Sequence, residues 1–336
     1  MAVSLKHVAE KAGVHLSTVS LALRGSPKIS SRTAEDIRKV AEDLGYVPNL
    51  MARGLAGAGS KTIGVLVPKL RDSFVIDCVG AQERWMQASG YTPLLTITHG
   101  KAEAELKAID DMIGRGVDGL LFNYIPSSSV VRDKIQSLVS QGRAVGLLGT
   151  SPELNDVDAV DQHFSSCGYE VTKHLLELGH KKIALAVMSL ADERQQARLD
   201  GYRQALREFD VPYDPLLVFE IDYVRQNLTQ LRKEALSFKE RPTALCAYND
   251  DMAAELVMDL ITAGYQVPGD IAVTGVNDGW YSDKLKVPLT TYRLPAEEMG
   301  LKLADLLISR IEDREKDPES VRFDGELVIR ESTGRI

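Results

Sequence analysis

Six histidines, three cysteines and two adjacent pairs of aspartates are the side chains of this 336-residue chain with the chemistry for catalysis or metal binding. Their spacing argues against both. His7, His15, His99, His163, His174 and His180 form no HExxH or other ligand pattern, and neither a GxSxG elbow nor a Rossmann GxGxxG fingerprint is expected. Asp110-Asp111 and Asp250-Asp251 are neighbours along the chain rather than convergent pairs, so they read as solvated faces or helix caps. Cys78, Cys167 and Cys246 are far apart and odd in number, which gives neither a disulfide framework nor a CxxC pair and leaves them as buried apolar residues. The run from Gly54 to Thr62 looks like a phosphate loop, but Ser60 separates Gly59 from Lys61 and the run precedes a strand instead of opening a helix. No enzymatic activity, metal or cofactor is expected. What remains is binding chemistry. His15, Leu16, Ser17, Ser20, Leu21 and Arg24 lie on the outward face of a helix expected over about 16–24, short and hydroxyl-rich at the N-terminal end, where base edges would be read.

The elements around that helix set its stage. Ser4 is placed to cap a first helix whose apolar positions Leu5, Val8, Ala9 and Ala12 form one buried stripe, and Gly13 breaks it. In the second helix Val19, Ala22 and Leu23 face inward, and Gly25-Ser26-Pro27 ends it. Ser30 caps a third, with Ile37, Val40, Ala41 and Leu44 as its stripe and Gly45 as its stop. Helix, short glycine turn, helix and bracing helix is the pattern of a helix-turn-helix DNA-binding module, although periodicity alone fits a plain three-helix cap equally well. A brief helix after Pro48 follows, too short to be stable alone, and then the flexible Gly57-Ala58-Gly59-Ser60.

Charge separates this segment from the rest. The whole chain carries −8 at neutral pH, which on its own argues against a nucleic-acid partner. Residues 1–60, however, hold eight Lys/Arg against five Asp/Glu, net +3, and the remaining 276 residues hold 32 against 43, net −11. With 44% apolar and 26% charged residues and no long apolar run, membrane and disordered classes are excluded. Lys6, His7, Glu10 and Lys11 interrupt the stretch an export signal needs, so a cytoplasmic location is expected.

The run Val8-Ala9, Ala12-Gly13-Val14, Ser17-Thr18-Val19-Ser20, Leu23, Gly25, Leu44-Gly45-Tyr46, Pro48-Asn49, Ala52-Arg53, Leu55 and Thr62-Ile63-Gly64-Val65 resembles the N-terminus of the lactose/galactose repressor (LacI/GalR) family of bacterial transcription regulators. Weaker family-like phrases recur to the end of the chain. The resemblance implies that His15, Leu16, Ser17 and Leu21 face the major groove, with Thr18 and Ser20 positioning the backbone through phosphates. Asn49, Ala52, Arg53 and Leu55 match a hinge helix that in the family folds on DNA and wedges a leucine into the minor groove. Two positions depart from the family pattern. Leu21 stands where a polar or basic reader is frequent, which leaves apolar contact such as a thymine methyl. Gly54 replaces the usual serine and weakens the hinge helix by about 1 kcal/mol.

Beyond residue 60, short apolar runs at Ile63–Val67, Pro93–Ile97, Gly119–Phe122, Val145–Leu148, Ile183–Val187, Ala244–Ala247 and Ile271–Gly275 alternate with amphipathic stretches of helical length. Such alternation implies parallel, doubly wound sheets covered on both faces, with ligands at the C-terminal ends of the strands. The expected fold is therefore an all-α helix-turn-helix headpiece (1–46), a hinge and linker (47–60) and an α/β two-lobed domain (61–336) that binds an effector and dimerises. The resemblance likens the last to a periplasmic sugar-binding protein. The chain is expected to change lobes near Val160, Leu289 and Arg322, giving a first lobe over about 61–160 and 290–321 and a second over about 161–289 and 322–336.

Family phrases also place a pocket. Ala197-Arg198-Leu199-Asp200-Gly201-Tyr202 matches the segment whose arginine grips the effector; without that match Arg198 reads as a surface ion pair. Asn249 lies at the end of a strand and can donate to and accept from a polyol, Asp250 being as readily a helix cap. Asp72, Ser73 and Phe74 follow the first strand and offer another wall, and Tyr223 falls where an aromatic stacks on the ligand or enters the core. Asn277 stands where the family usually has an aspartate, and Gly149 where some members have another. Two carboxylates fewer suggest a sugar acid or sugar phosphate rather than a plain sugar. The resulting reading is a repressor that binds a pseudo-palindromic operator as a homodimer or tetramer, controlled by a small carbohydrate-like effector. The alternative is a sugar-binding or sugar-processing α/β protein whose N-terminal helices only pack, which would show no salt-dependent DNA binding.

Overall fold

Three apolar stripes become three helices, α1 (Leu5–Ala12), α2 (Leu16–Leu23) and α3 (Ser31–Asp43). Val8, Ala9, Val19, Ala22, Ala34, Ile37 and Ala41 are buried together as their common core. Ser30 caps α3 by accepting the Thr33 N–H at 3.2 Å. At α1 Ser4 holds the cap position, but the accepting side chain is His7, whose Nδ1 takes the Ser4 N–H at 3.0 Å. The computed structural model describes residues 3–23, 25–46, 59–221, 232–233, 236–237 and 241–335. The hinge candidates Asn49, Ala52, Arg53 and Leu55, and Tyr223, lie outside the described residues. The chain divides into two units, Met1–Ser60 and Lys61–Ile336.

In the second unit, β1 (Thr62–Val67), α4 (Ser73–Ala88), β2 (Thr92–Ile97), α5 (Ala102–Gly114), β3 (Gly119–Phe122), α6 (Ser129–Ser140), β4 (Ala144–Leu148) and β5 (Asp158–Gln162) build the first lobe. The second lobe takes α7 (Phe164–Glu177), β6 (Ile183–Val187), α8 (Glu193–Glu208), β7 (Val218–Glu220), β8 (Ala244–Cys246), α9 (Asp250–Thr262), β9 (Ala272–Asn277) and β10 (Thr290–Arg293). The chain then returns for α10 (Ala296–Glu312) and β11 (Ser320–Phe323), and ends with β12 (Glu326–Val328). Strand order is β11-β5-β4-β3-β1-β2 in one sheet and β12-β10-β9-β8-β6-β7 in the other. Every pair is parallel except β10 with β12.

Alternation along β1 explains the layering. Ile63, Val65 and Val67 pack on one face with Cys78, Met86, Met299 and Leu303 of α4 and α10, and Leu66 packs on the other with Ile109 and Met112 of α5. The second lobe repeats this with Ile183, Leu185 and Val187 against α7 and α8, and Ala184 and Ala186 against α9. Against expectation, Gly114, Gly116 and Gly119 do spell GxGxxG, but they join a helix to a strand, the reverse of what pyrophosphate binding needs.

The lobe boundaries fall slightly beyond the expected positions. β5 runs to Gln162 and β11 to Phe323, both in the first sheet. Thr290–Arg293, expected in the first lobe, pairs with Thr274–Asn277 and stays in the second. The reason is local: Thr290 and Thr291 are buried because the Thr291 hydroxyl donates to Asp250 at 2.6 Å and that of Thr290 meets Thr333 at 2.8 Å.

Two imidazoles clasp the C-terminal segment. His174 Nε2 lies 3.0 Å from the Thr333 hydroxyl, and His180 binds the Gly334 carbonyl through Nε2 at 3.0 Å and Thr243 through Nδ1 at 2.9 Å. Burial pushes both rings below the ordinary value of 6.5. A base depressed in the native state contributes stability that is present above its unfolded pKa and lost as pH falls through its folded one. Acidification from about pH 7.5 to about pH 5.5 is therefore expected to lower the thermal midpoint more in the native chain than in His174→Gln/His180→Gln. Asp250, whose burial pushes its carboxyl up to about 6, tilts both profiles the other way, so the difference between the two proteins isolates the imidazoles. Equal losses in the two would contradict the clasp.

Candidate functional site

The parallel strands deliver polar residues to their C-terminal ends, where the two lobes meet. Asp72, after β1, caps α4 by accepting the N–H groups of Phe74 at 3.0 Å and Val75 at 3.4 Å. Asn249, after β8, caps α9 by accepting the Met252 N–H at 3.0 Å, so the cap is Asn249 and not Asp250. The two caps face each other across the lobes: Asn249 Nδ2 donates to Asp72 Oδ2 at 3.5 Å. Burial, helped by the Asp251 carboxylate, pushes Asp72 up to about 6 against the pull of these hydrogen bonds. Arg71 binds Glu255 at 2.8 Å beside them, and Phe74 packs against the cores of both lobes. Ser73 is buried, its hydroxyl close under Gly279 of the second lobe.

Arg198 projects from α8 and is 4% exposed. Its Nη1 donates to the Tyr248 carbonyl at 2.7 Å and its guanidinium lies 5.0 Å from the centroid of the Tyr248 ring. Its Nε is buried without a hydrogen-bond partner, and among the described residues no carboxylate comes within ion-pair distance of it. Arg194, one turn earlier, is gripped bidentately by Asp192, at 2.9 Å and 2.5 Å. The charges of Arg198, Asp72, Arg194 and Asp192 all act on the buried Tyr248 hydroxyl, so these five residues form one cluster.

Gly149 shows why no carboxylate belongs there. Its φ of +113° is strained for any side chain, and a Cβ would stand 2.7 Å from Ile125 Cδ1. Arg194 Nη1 lies 3.9 Å from that Cβ position, and Asp161, near the end of β5, accepts the hydroxyl of Thr150, the residue after Gly149, at 2.5 Å. Asn277 is also at positive φ (104°). It borders a cavity of about 220 Å³ with Asp77, Asp278, Arg293 and Glu297, which Arg198 and Asn249 do not line. Asp278 is held there by Arg293 and Arg330, each at 2.7 Å.

Arg194, Tyr248 and Asp161 escaped the sequence reading. Arg194 stands four residues before Arg198, on the same helical face, and that spacing was the available clue. Asp161 gave none, because β5 was not recognised as a strand.

In the N-terminal unit, His15 precedes α2 and its Nδ1 lies 2.8 Å from the Ser17 hydroxyl. His15, Leu16 and Ser17 are exposed, Leu16 to 44%, while Thr18, Ser20 and Leu21 are half-buried. Val19 and Ala22 face the core, so the outward face is the one expected.

Comparison with known proteins draws both units together. Residues 4–49 match the family described as bacterial regulatory proteins, lacI family, and residues 172–333 match a periplasmic binding protein-like domain. The HTH-type transcriptional repressor PurR of Vibrio vulnificus is 27% identical over 99% of this chain and 99% of its own length. A crystal structure of the Lac repressor dimer bound to operator and the anti-inducer ONPF is 25% identical, covers 99% of this chain and 100% of its own, and superposes with a TM-score of 0.86. A LacI family transcriptional regulator from Enterococcus faecium with bound ribose is 29% identical over 82% of this chain and 99% of its own, with a TM-score of 0.74.

Proposed function

The chain belongs to the LacI family of bacterial regulatory proteins, and on that premise we propose that it is a transcriptional repressor whose hold on an operator is set by a small carbohydrate-like effector bound between its lobes. The observation that carries the effector half is Arg198: a buried cation with an unpartnered Nε and, among the described residues, no carboxylate, beside an aromatic ring at the meeting of two lobes. Burying a charge without a countercharge is costly, and a ligand that supplies acceptors relieves the cost. Asp72, Ser73, Phe74 and Asn249 are proposed as the opposing wall, and Asn277 and Tyr223 are candidates on the family resemblance alone. The relatives are transcriptional regulators, and the chain is read as a binding protein with no catalytic role. No described helix is long and apolar enough to cross a membrane, and the protein is proposed to work in the cytoplasm, where its operator lies.

On DNA, two copies of the chain place their heads on two half-sites of a pseudo-palindrome. His15, Leu16, Ser17 and Leu21 read the major groove, Thr18 and Ser20 hold phosphates, and Asn49, Ala52, Arg53 and Leu55 enter the minor groove between the half-sites. Effector binding favours one arrangement of the lobes and thereby changes operator affinity, which is a coupling free energy between two sites.

The charge of the cluster supports an acidic effector. Asp192 neutralises Arg194, Asp72 is engaged with its helix and Asn249, and Gly149 and Asn277 bring no carboxylate, so Arg198 is left uncompensated. A sugar acid or sugar phosphate supplies the missing charge. Calorimetric titration of the full chain with neutral sugars, uronates and sugar phosphates tests this. Tight binding confined to the acids is expected, and tight binding of neutral sugars alone would overturn it.

A further inference from the structure

The outward face of α2 is poor in groups that can name a base. Leu16–Leu23 contains no amide, guanidinium or ammonium, and its polar side chains are the hydroxyls of Ser17, Thr18 and Ser20. A hydroxyl donates or accepts as required, so it discriminates weakly between base edges.

His15, just before the helix, is of another kind. Its carbonyl accepts the N–H groups of Thr18 at 2.9 Å and Val19 at 3.2 Å, which makes it the N-cap. Its Nδ1 faces two groups of Ser17, the backbone N–H at 3.4 Å and the hydroxyl at 2.8 Å. A backbone N–H can only donate. Nδ1 must therefore accept, and the neutral ring carries its proton on Nε2. The same device recurs at α1, where His7 Nδ1 accepts the Ser4 N–H at 3.0 Å. Both rings are exposed.

We propose that His15 is a specificity-determining residue of the DNA-binding face: its capping role fixes the Nε2–H tautomer, and Nε2 donates to an acceptor on a base edge in the major groove. The Ser17 hydroxyl, which points its proton at Nδ1, keeps only its oxygen lone pairs for the groove and reads as an acceptor beside the His15 donor. The acceptors available are guanine O6 and N7, adenine N7 and thymine O4. The proposal rests on the DNA-binding reading above, and the test separates the two: loss of all DNA binding by the native chain would fail that reading, whereas the variants below address His15 alone.

The test uses the full chain and an operator obtained by selection from random duplexes. His15→Asn keeps a capping oxygen for the Ser17 N–H but has no donor at the reach of Nε2, whereas His15→Gln keeps the reach and gives up the cap. His15→Asn is expected to leave the thermal midpoint unchanged, to weaken operator binding about tenfold without weakening binding to unrelated duplex, and on reselection to lose preference at one base pair per half-site. His15→Gln should retain more operator affinity than His15→Asn. Nitrogen NMR of the native chain labelled with ¹⁵N-histidine, assigned through these variants, should show the His15 proton on Nε2. Native-like operator binding by His15→Asn, an equal loss on operator and unrelated duplex, which marks a phosphate contact, or a proton on Nδ1 would each overturn the proposal.

Discussion

Replacing Arg198 by alanine is expected to weaken effector binding by about 100-fold or more while leaving operator affinity in the absence of effector within about twofold of native, the scale for truncating one partner of a buried charged contact. The expectation follows from where the side chain stands. Arg198 is nearly fully buried, bonded to the Tyr248 carbonyl and stacked on the Tyr248 ring, and the neighbouring cation on its helix cannot replace it: Arg194 is already held by Asp192. Lysine should not rescue the loss, because one ammonium cannot both hold the Tyr248 carbonyl and offer a planar pair of donors to the ligand. Losing the Arg198 donor to the Tyr248 carbonyl costs roughly 1–3 kcal/mol, which lowers the thermal midpoint without unfolding the chain. Calorimetry with the tightest-binding sugar acid, and anisotropy with labelled operator, read the two affinities separately. Unchanged effector binding in Arg198→Ala would remove Arg198 from the site.

The second large effect needs no contact with ligand at all. Gly168→Val is expected to cost about 3 kcal/mol or more, at the upper end of what overpacking does. Helices α7 and α8 cross with almost no space between their backbones. A Cβ on Gly168 would land on the carbonyl of Arg198, and one on Gly201 on the carbonyl of Ser165, far inside contact distance in both cases. Backbone cannot swing aside as a side chain can, so the helices must separate. Since the atoms struck belong to Arg198, effector affinity should fall along with stability. Gly80→Ala provides the contrast. On α4 its Cβ meets only the far end of the Arg84 side chain, at an ordinary contact distance of 3.6 Å, so the substitution should stabilise by about 0.5–1 kcal/mol through helix propensity alone. Denaturant midpoints of the two variants test the pair, and a Gly168→Val chain as stable as native would contradict the close crossing that positions Arg198.

These two variants also mark how far the sequence could be read. Strands β1, β3, β4, β6, β8 and β9 were legible because both of their faces are buried, which leaves uninterrupted apolar runs such as Ile63–Val67 and Ile183–Val187. β5 and β10 were not. Asp158 of β5 is fully buried because Arg310, distant in sequence, grips it with Nε and Nη2, and Thr290 and Thr291 of β10 are buried through Thr333 and Asp250. A buried polar residue looks like a surface one until its partner is known. The site divides in the same way. Asp72 and Asn249 were found from their place after a strand and Arg198 from the family phrase around it, but that the two caps touch is a property of the paired lobes. Asn277 was correctly seen as a strand end, yet it borders a separate cavity with Asp278 and Arg293. The cluster of Arg194, Asp192 and Tyr248 around Arg198 was invisible because Asp192 and Arg194 sit at the start of a helix, where an acid and a base are common for reasons of capping alone.

The central claim is that effector and operator are coupled through one protein. It is tested most directly by measuring operator affinity of the full chain with and without the tightest-binding sugar acid, and the affinity for that acid with and without operator. Thermodynamic linkage predicts that the two ratios are equal and lie between about 5 and about 150, with operator binding falling steeply as salt is raised. Operator affinity that is the same with the acid bound as without it would contradict the account, as would the absence of sequence-specific binding at any salt concentration.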